Sequence, residues 1–297
     1  YATGMQQIKA VLPNLKNNPQ FKFQRAVNET LYANSPRVVN LDETVLEKAS
    51  LETLKKVYTE QLFKDAAGAT LTIVGNVDLE TLKPLVEKYI GSLPKGKKPA
   101  GVNTDNLISM AKGEVKNDVK IAMQTPKTTV FQVHSAYMPI DTKTEVTLEA
   151  ANYVLDMIYT KTIREQEGGT YGVGSSLAAT REPYSRITFM VQFDTNPEQA
   201  EKLCGLAVKY LKELGQNGPT AEELAMAVEN FKKNLPESRI NNNYWMNCLN
   251  KNLQYGYDAD AEYEAALNAV TAEDVKSLLQ SVFAQKNFVQ IMMSPAE

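Results

Sequence analysis

Short apolar clusters set in polar stretches predict helices over residues 1–65. Phe21, Phe23, Val27, Leu31 and Tyr32 fall at mixed helical spacings, and Asn34-Ser35-Pro36 breaks the pattern as a loop. Leu41, Val45 and Leu46 begin a short helix. Ser50 caps the next, whose Leu54, Val57, Tyr58 and Leu62 share a face. The run Ala69-Thr70-Leu71-Thr72-Ile73-Val74 changes period and predicts a strand. Gly75-Asn76 turns the chain, and Asp78 caps a helix from Leu79 to Ile90. Pro84, beyond the first turn of that helix, predicts a kink or a late start.

Residues 91–106 lose the periodicity. Gly91, Pro94, Gly96, Pro99 and Gly101, interleaved with Lys95, Lys97 and Lys98, read as a solvated linker. Two alternating stretches, 115–124 and 128–138, then predict strands joined through Thr125-Pro126. A long amphipathic helix follows over 145–164, with Leu148, Ala151, Leu155 and Ile158 inward, and Gly168-Gly169 ends it. Residues 170–179 and 186–194 predict a second pair of strands. Asn196-Pro197 opens a helix through Leu214, and Thr220 to Glu223 forms a capping box for another, which Pro236 should kink or end. Helical patterns over 243–255, 263–270 and 271–283 and a closing strand over 287–293 complete the chain. Strand pairs covered by helices predict an α+β fold with an antiparallel-rich sheet.

Composition narrows the chemistry. The chain has 297 residues, 43% of them hydrophobic, which allows one large domain or two ordinary ones with a sizeable core. Its net charge of −3, with both signs mixed, argues against nucleic acid as a partner. No run of apolar residues is long enough to span a membrane. The first residues lack the basic start and apolar stretch of a signal peptide. With one histidine, His134, and two cysteines, Cys204 and Cys248, the chain has no room for a zinc site built on two histidines. The two cysteines lie in helical patterns and read as buried thiols. His134 reads as a structural residue on a strand, and Trp245, beside Tyr244, Met246 and Cys248, as core.

Two regions match at an offset of 221 (Glu43 to Glu264). Glu43, Leu46, Glu52 and Lys55 correspond to Glu264, Leu267, Glu273 and Lys276, and Ser50 corresponds to Thr271. Each region runs short helix, capped helix, terminal strand: Leu71 to Val74 in the first, Phe288 to Met292 in the second. A true repeat would place the start of the first unit roughly a hundred residues before Tyr1, so the chain reads as a piece of a longer polypeptide. The division expected is 1–98 as the back part of one unit, 99–112 as linker, and 113–297 as a complete unit.

The stretch Leu71 to Asp78, followed by Leu82 to Pro94, resembles the pitrilysin/insulinase family of zinc metallopeptidases. In that family an apolar strand ends in a "VGDVD"-like turn and runs into a helix closing "EKYFG-x-LP". Ile163 to Val173 is similar to the family's "LRE-x-x-G-x-x-Y-x-V" segment, and Thr220 to Asn234 to its "T-x-E-E-L-x-x-A" helix. The matches run in order over roughly residues 40–290. The resemblance implies four repeats of one α+β unit, closing as two halves around a peptide. The family's zinc set, His-x-x-Glu-His and a later Glu, belongs to the first long helix of the first unit. The helix over 145–164 has no histidine. The resemblance therefore implies the C-terminal half, the third unit in part and the fourth whole, nearest the bacterial single-chain branch.

It further implies that this segment carries no metal ligand and no catalytic residue, while zinc sits in an N-terminal half of the same polypeptide. A peptide or unfolded protein would be the substrate, and the periplasm or cell envelope the location. Arg164 and Tyr171 match the family's pair that reaches across the closed chamber toward the peptide. Without the family the pair is unremarkable, since Arg is favoured at a helix C-terminus and Tyr on a strand. With it, a guanidinium and a phenol supply hydrogen-bond donors for a developing oxyanion. The alternative expectation is a catalytically inactive scaffold or peptide-binding subunit of the same fold.

Overall fold

The computed structural model describes residues 1–97 and 107–296. Part of the expected linker, residues 98–106, lies outside the described residues. In chain order the elements are helices α1 (Ala2–Asn17), α2 (Pro19–Leu31), α3 (Glu43–Lys48), α4 (Leu51–Val57) and α5 (Leu79–Tyr89), then strands β1 (Glu114–Ile121) and β2 (Thr128–Tyr137). Helix α6 (Thr142–Tyr159), strands β3 (Val173–Thr180) and β4 (Arg186–Thr195), helices α7 (Ala200–Asn217), α8 (Ala221–Ser238), α9 (Asn242–Tyr255), α10 (Ala259–Ala269) and α11 (Ala272–Ala284), and strand β5 (Asn287–Pro295) follow. The chain divides into two compact units, one of Tyr1–Leu12, Leu41–Asp105 and Asn234–Asp260, the other of Pro13–Asn40, Asn106–Lys233 and Ala261–Glu297.

The first unit is helical. Ser50 Oγ accepts from the Thr53 amide at 3.0 Å, and Asp78 accepts from the Glu80 and Thr81 amides, as the caps predict. Thr81 and these amides hold the Asp78 carboxyl below its usual range. Helix α5 starts on time and runs through Pro84. The predicted strand over 69–74 does not form. That stretch has no ladder partner among the described residues, and Leu71 and Ile73 remain 52% and 41% exposed. Alternating apolar residues make a strand only when a neighbouring strand takes up the backbone hydrogen bonds. One side-chain bond, Thr72 Oγ1 to Asn250 Oδ1 at 3.3 Å, ties it to α9. Trp245 also departs from expectation. It lies on the surface at 38% exposure, with its indole donating to the Arg239 carbonyl at 2.7 Å. Next to it Arg239 makes a two-pronged ion pair with Asp260, which also accepts from the Tyr244 hydroxyl.

The second unit is built on one mixed sheet in the order β1-β5-β2-β4-β3. β1 runs parallel to β5, and the other three pairings are antiparallel. Even-numbered residues of β2 and β5 face one side and odd-numbered residues the other, as period-two alternation requires. On one side Val130, Ala136 and Met292 pack with the buried faces of α6, α7 and α11. On the other, Phe23, Val27 and Leu31 of α2 cover Val133, Val289, Ile291 and Met293. Sandwiching both faces explains why β2 and β5 are buried nearly end to end. The capping boxes at Thr220 and Thr271 both form, and α8 runs two residues past Pro236. Cys204 and Cys248 are free thiols, the first buried and the second half-buried. Burial pushes the Cys204 thiol up to about 12, so it stays protonated.

Candidate functional site

The site grows from the end of α6. Its inward residues Val146, Ala150, Val154 and Tyr159 are fully buried, and the Tyr159 hydroxyl donates to the Ala207 carbonyl at 2.8 Å. The helix continues as a π-helical turn over Thr160–Gln166. That turn widens the backbone while Ile163, fully buried, anchors it, so Arg164 on the next position points outward and is exposed.

Residues 167–172 then reverse the chain in a braced loop. Gly168 has φ +61°, a left-handed conformation that glycine adopts without a steric cost. Gly169 is buried, and a Cβ there would displace the ends of two side chains, Gln199 Oε1 at 2.2 Å and Leu203 Cδ1 at 2.8 Å. Its carbonyl accepts from the buried Thr195 hydroxyl at 2.7 Å. Glu167 pairs with Lys202. Thr170 Oγ1 accepts from the Gly172 amide at 3.2 Å and donates to the Gly172 carbonyl at 2.9 Å, which closes a tight turn around the intervening residue.

That residue is Tyr171, and it is fully exposed at 102%. It stands in the turn before β3 rather than on the strand, because the ladder with β4 begins at Val173. The phenol makes no hydrogen bond among the described residues, and neither does the Arg164 guanidinium. Behind them, the Ser175 hydroxyl of β3 donates to Asn152 and Asp156 of α6, joining the two elements that carry the pair. The arrangement offers two unengaged donors to the outside from a loop fixed at both ends.

Sequence reasoning singled out Arg164 and Tyr171 and missed what holds them. Thr195 and Gln199 come from a later strand and helix, and nothing local in the chain marks them. Thr170 carried a faint signal in its spacing from Gly172. Glu165 is exposed, whereas Glu167 is paired with Lys202.

The described side chains offer zinc no ligand set. Among the described residues no group of three or more His, Cys, Asp or Glu is placed to hold a metal ion. His134 lies in β2, and the two cysteines belong to separate helices, α7 and α9. Nor is any described helix long and apolar enough to cross a membrane.

Comparison with known proteins gives the family. Residues 48–231 match the peptidase M16 inactive domain. The chain is 26% identical over 279 residues to the "Probable zinc protease PqqL" of Escherichia coli K12, covering 92% of this chain and 29% of that protein. It is 24% identical to a "Zinc protease PQQL-like" of Arabidopsis thaliana, over 84% of this chain and 27% of the relative. The chain thus spans about a third or less of the length of these curated relatives. The crystal structure of the periplasmic protease PqqL from E. coli superimposes with a TM-score of 0.82 at 25% identity, over 99% of this chain and 32% of that one. The first half of the same protease gives a TM-score of 0.71 at 12% identity, over 99% of this chain and 65% of that one, a likeness of fold alone. By its sequence and its fold, the chain belongs to the pitrilysin/insulinase (M16) peptidase family and matches the family's inactive domain, part of the C-terminal half of PqqL-like zinc proteases.

Proposed function

We propose that this chain is the non-catalytic half of a zinc endopeptidase, in which it completes a peptide chamber and presents Arg164 and Tyr171 to the substrate. In this reading residues 1–98 are the C-terminal part of a third repeat unit, 99–112 a linker and 113–297 a complete fourth unit. The zinc ligands and the catalytic glutamate lie in an N-terminal half of the same polypeptide. The substrate is a peptide or unfolded protein. The periplasm or cell envelope is the location, by likeness to the periplasmic relative.

The observation that carries the reading is the placement of Tyr171. A fully exposed aromatic ring without a hydrogen-bond partner, on a loop tied down by Thr170, Thr195 and Gly169, contributes nothing to folding. It is pre-organised to donate to something outside the chain. A phenol O–H and a guanidinium directed at a scissile carbonyl would hold the peptide and stabilise the oxyanion that a metal alone balances only in part. Alone, the chain is expected neither to bind zinc tightly nor to cleave peptides.

The test is Tyr171→Phe in the longer protein. Turnover should fall by roughly 10- to 1000-fold, with the melting temperature unchanged because the ring packs on nothing. Arg164→Ala should raise KM as well. Unchanged turnover in both variants would reject the assigned role and favour the alternative, an inactive scaffold or peptide-binding subunit. Zinc-dependent cleavage by the 297-residue chain alone would reject the non-catalytic reading itself.

A further inference from the structure

The sheet of the second unit ends in two unlike edges. β1, at one end, places Glu114, Lys116, Asp118 and Lys120 at alternate positions, paired as Lys116 with Glu114 at 3.4 Å and Lys120 with Asp118 at 2.9 Å. Charges spaced along an outer strand discourage another strand from adding to it. β3, at the other end, has no charged residue and no proline from Val173 to Thr180. It pairs with β4 alone, and none of its residues is buried.

The strand registers fix which backbone groups of β3 are free. The Met138 amide donates to the Ser185 carbonyl at 3.3 Å, and this pair continues the β2–β4 register. The next position, Tyr137, faces the other way: its amide and carbonyl both bond the Gln285 side chain, on the β5 side. Backbone groups alternate in direction along an antiparallel strand. Odd-numbered residues of β4 therefore bond to β2, and even-numbered ones to β3. In the β3–β4 register even pairs with even, Ser176 with Met190 and Ala178 with Thr188. The amides and carbonyls of Val173, Ser175, Leu177 and Ala179 thus point away from β4. None of them has a hydrogen-bond partner among the described residues.

We propose that an extended peptide adds to the free edge of β3, its main chain bonding the amides and carbonyls of Val173, Ser175, Leu177 and Ala179. The row begins two residues after Tyr171, so it runs straight on from the braced turn that presents the phenol. The proposal rests on the reading of Arg164 and Tyr171 as peptide contacts and extends it from two side chains to a run of backbone. Strand addition draws its affinity from main-chain hydrogen bonds, which every peptide offers whatever its sequence. An open edge could also take a second copy of this chain. The exposed Tyr171 and Arg164 at the head of β3 favour the peptide.

The test is read by NMR on the backbone amides of the 297-residue chain. The probe is a capped peptide as long as β3, of alternating valine and threonine with a lysine at each end. In the free chain the Val173, Ser175, Leu177 and Ala179 amides should exchange faster than those of Ser176 and Ala178. The peptide should shift and protect the four outward amides saturably at about millimolar concentration, and leave β1 unchanged. The same peptide N-methylated at every inner residue should bind at least about 10-fold more weakly, since it has lost its donors. Ala179→Pro removes one outward amide and no ladder donor, and should weaken binding about 3- to 10-fold with the β4 signals in place. Should that variant lose the β4 signals, the methylated peptide decides. No saturable shift, equal binding of the methylated peptide, or equal shifts on β1 would each overturn the proposal. Protection of the same amides that grows with chain concentration, without peptide, would give the edge to a second copy and overturn it too. Edge binding is read without catalysis, so it is separable from the turnover test: unchanged turnover in Tyr171→Phe, with β3 still protected by peptide, would reject only the role of the phenol.

Discussion

The stretches 43–74 and 264–292 share four identical residues at an offset of 221 (Glu43 to Glu264) and a capped helix, and meet different fates. In the later one, α11 buries Val275, Leu278, Leu279 and Val282, and β5 pairs on both sides with Ile291 fully buried. In the earlier one, α4 buries nothing, Leu51 and Leu54 are 43% and 52% exposed, and the stretch around Ile73 has no ladder. Caps form in both, Ser50 in one and Thr271 in the other. Both helices are therefore capped locally, and their burial differs. Capping needs residues only a turn apart, whereas a strand needs a partner brought from elsewhere in the chain.

The largest expected contrast is in truncation. Ile291→Ala should destabilise the chain by about 2–5 kcal/mol in denaturant unfolding, from lost burial and the cavity left behind. Ile73→Ala should cost less than about 0.5 kcal/mol in the same assay. A large loss at Ile73 would mean that the early stretch is packed in solution as the late one is.

Acid should separate the regions next. His134, in the same sheet as β5, has its pKa lowered from 6.5 to about 4 chiefly by burial. Its neutral form is favoured by folding, so the contribution is whole above pH 6.5. It is lost as pH falls toward 4, because the unfolded chain takes up the proton first. The loss should reach about 3 kcal/mol, read from unfolding curves between those pH values, and His134→Phe should flatten it. A pH-independent stability over this window would show that the imidazole is solvated.

The smallest contrast lies in the caps. Thr271→Ala breaks a reciprocal box with Asp274 and should cost about 1 kcal/mol in global stability. Ser50→Ala removes two bonds to Thr53 from a helix with no buried side chain, so its loss should show as faster amide exchange in α4 and leave the global midpoint in place.

Most of the fold was legible because its signals are local. Most helices, the capping boxes and all five strands follow period and punctuation within a few residues, and one further predicted strand does not form. The stretch at 69–74 has the right residues for a strand, but alternation records which side chains would share a face and not whether a neighbour exists. Trp245 misled for a related reason, since an aromatic beside Tyr244 and Cys248 reads as core while its indole meets the Tyr244 ring edge and bonds the Arg239 carbonyl at the surface. At the candidate site, Arg164 and Tyr171 were found by resemblance to a family motif. Physics alone ranked them as ordinary.

The amino-acid sequence by itself determined where most helices lie, the α+β class, the family, and the lack of histidines for a two-histidine zinc site. These depend on residue type and on spacings of a few positions. Tertiary structure alone decided that Gly169 packs against Gln199 and Leu203, that Thr195 pins the Tyr171 loop, and that His134 meets Phe288 and Phe283. Each of these joins residues far apart in the chain, and such contacts exist only once the sheet and its covering helices have closed on one another.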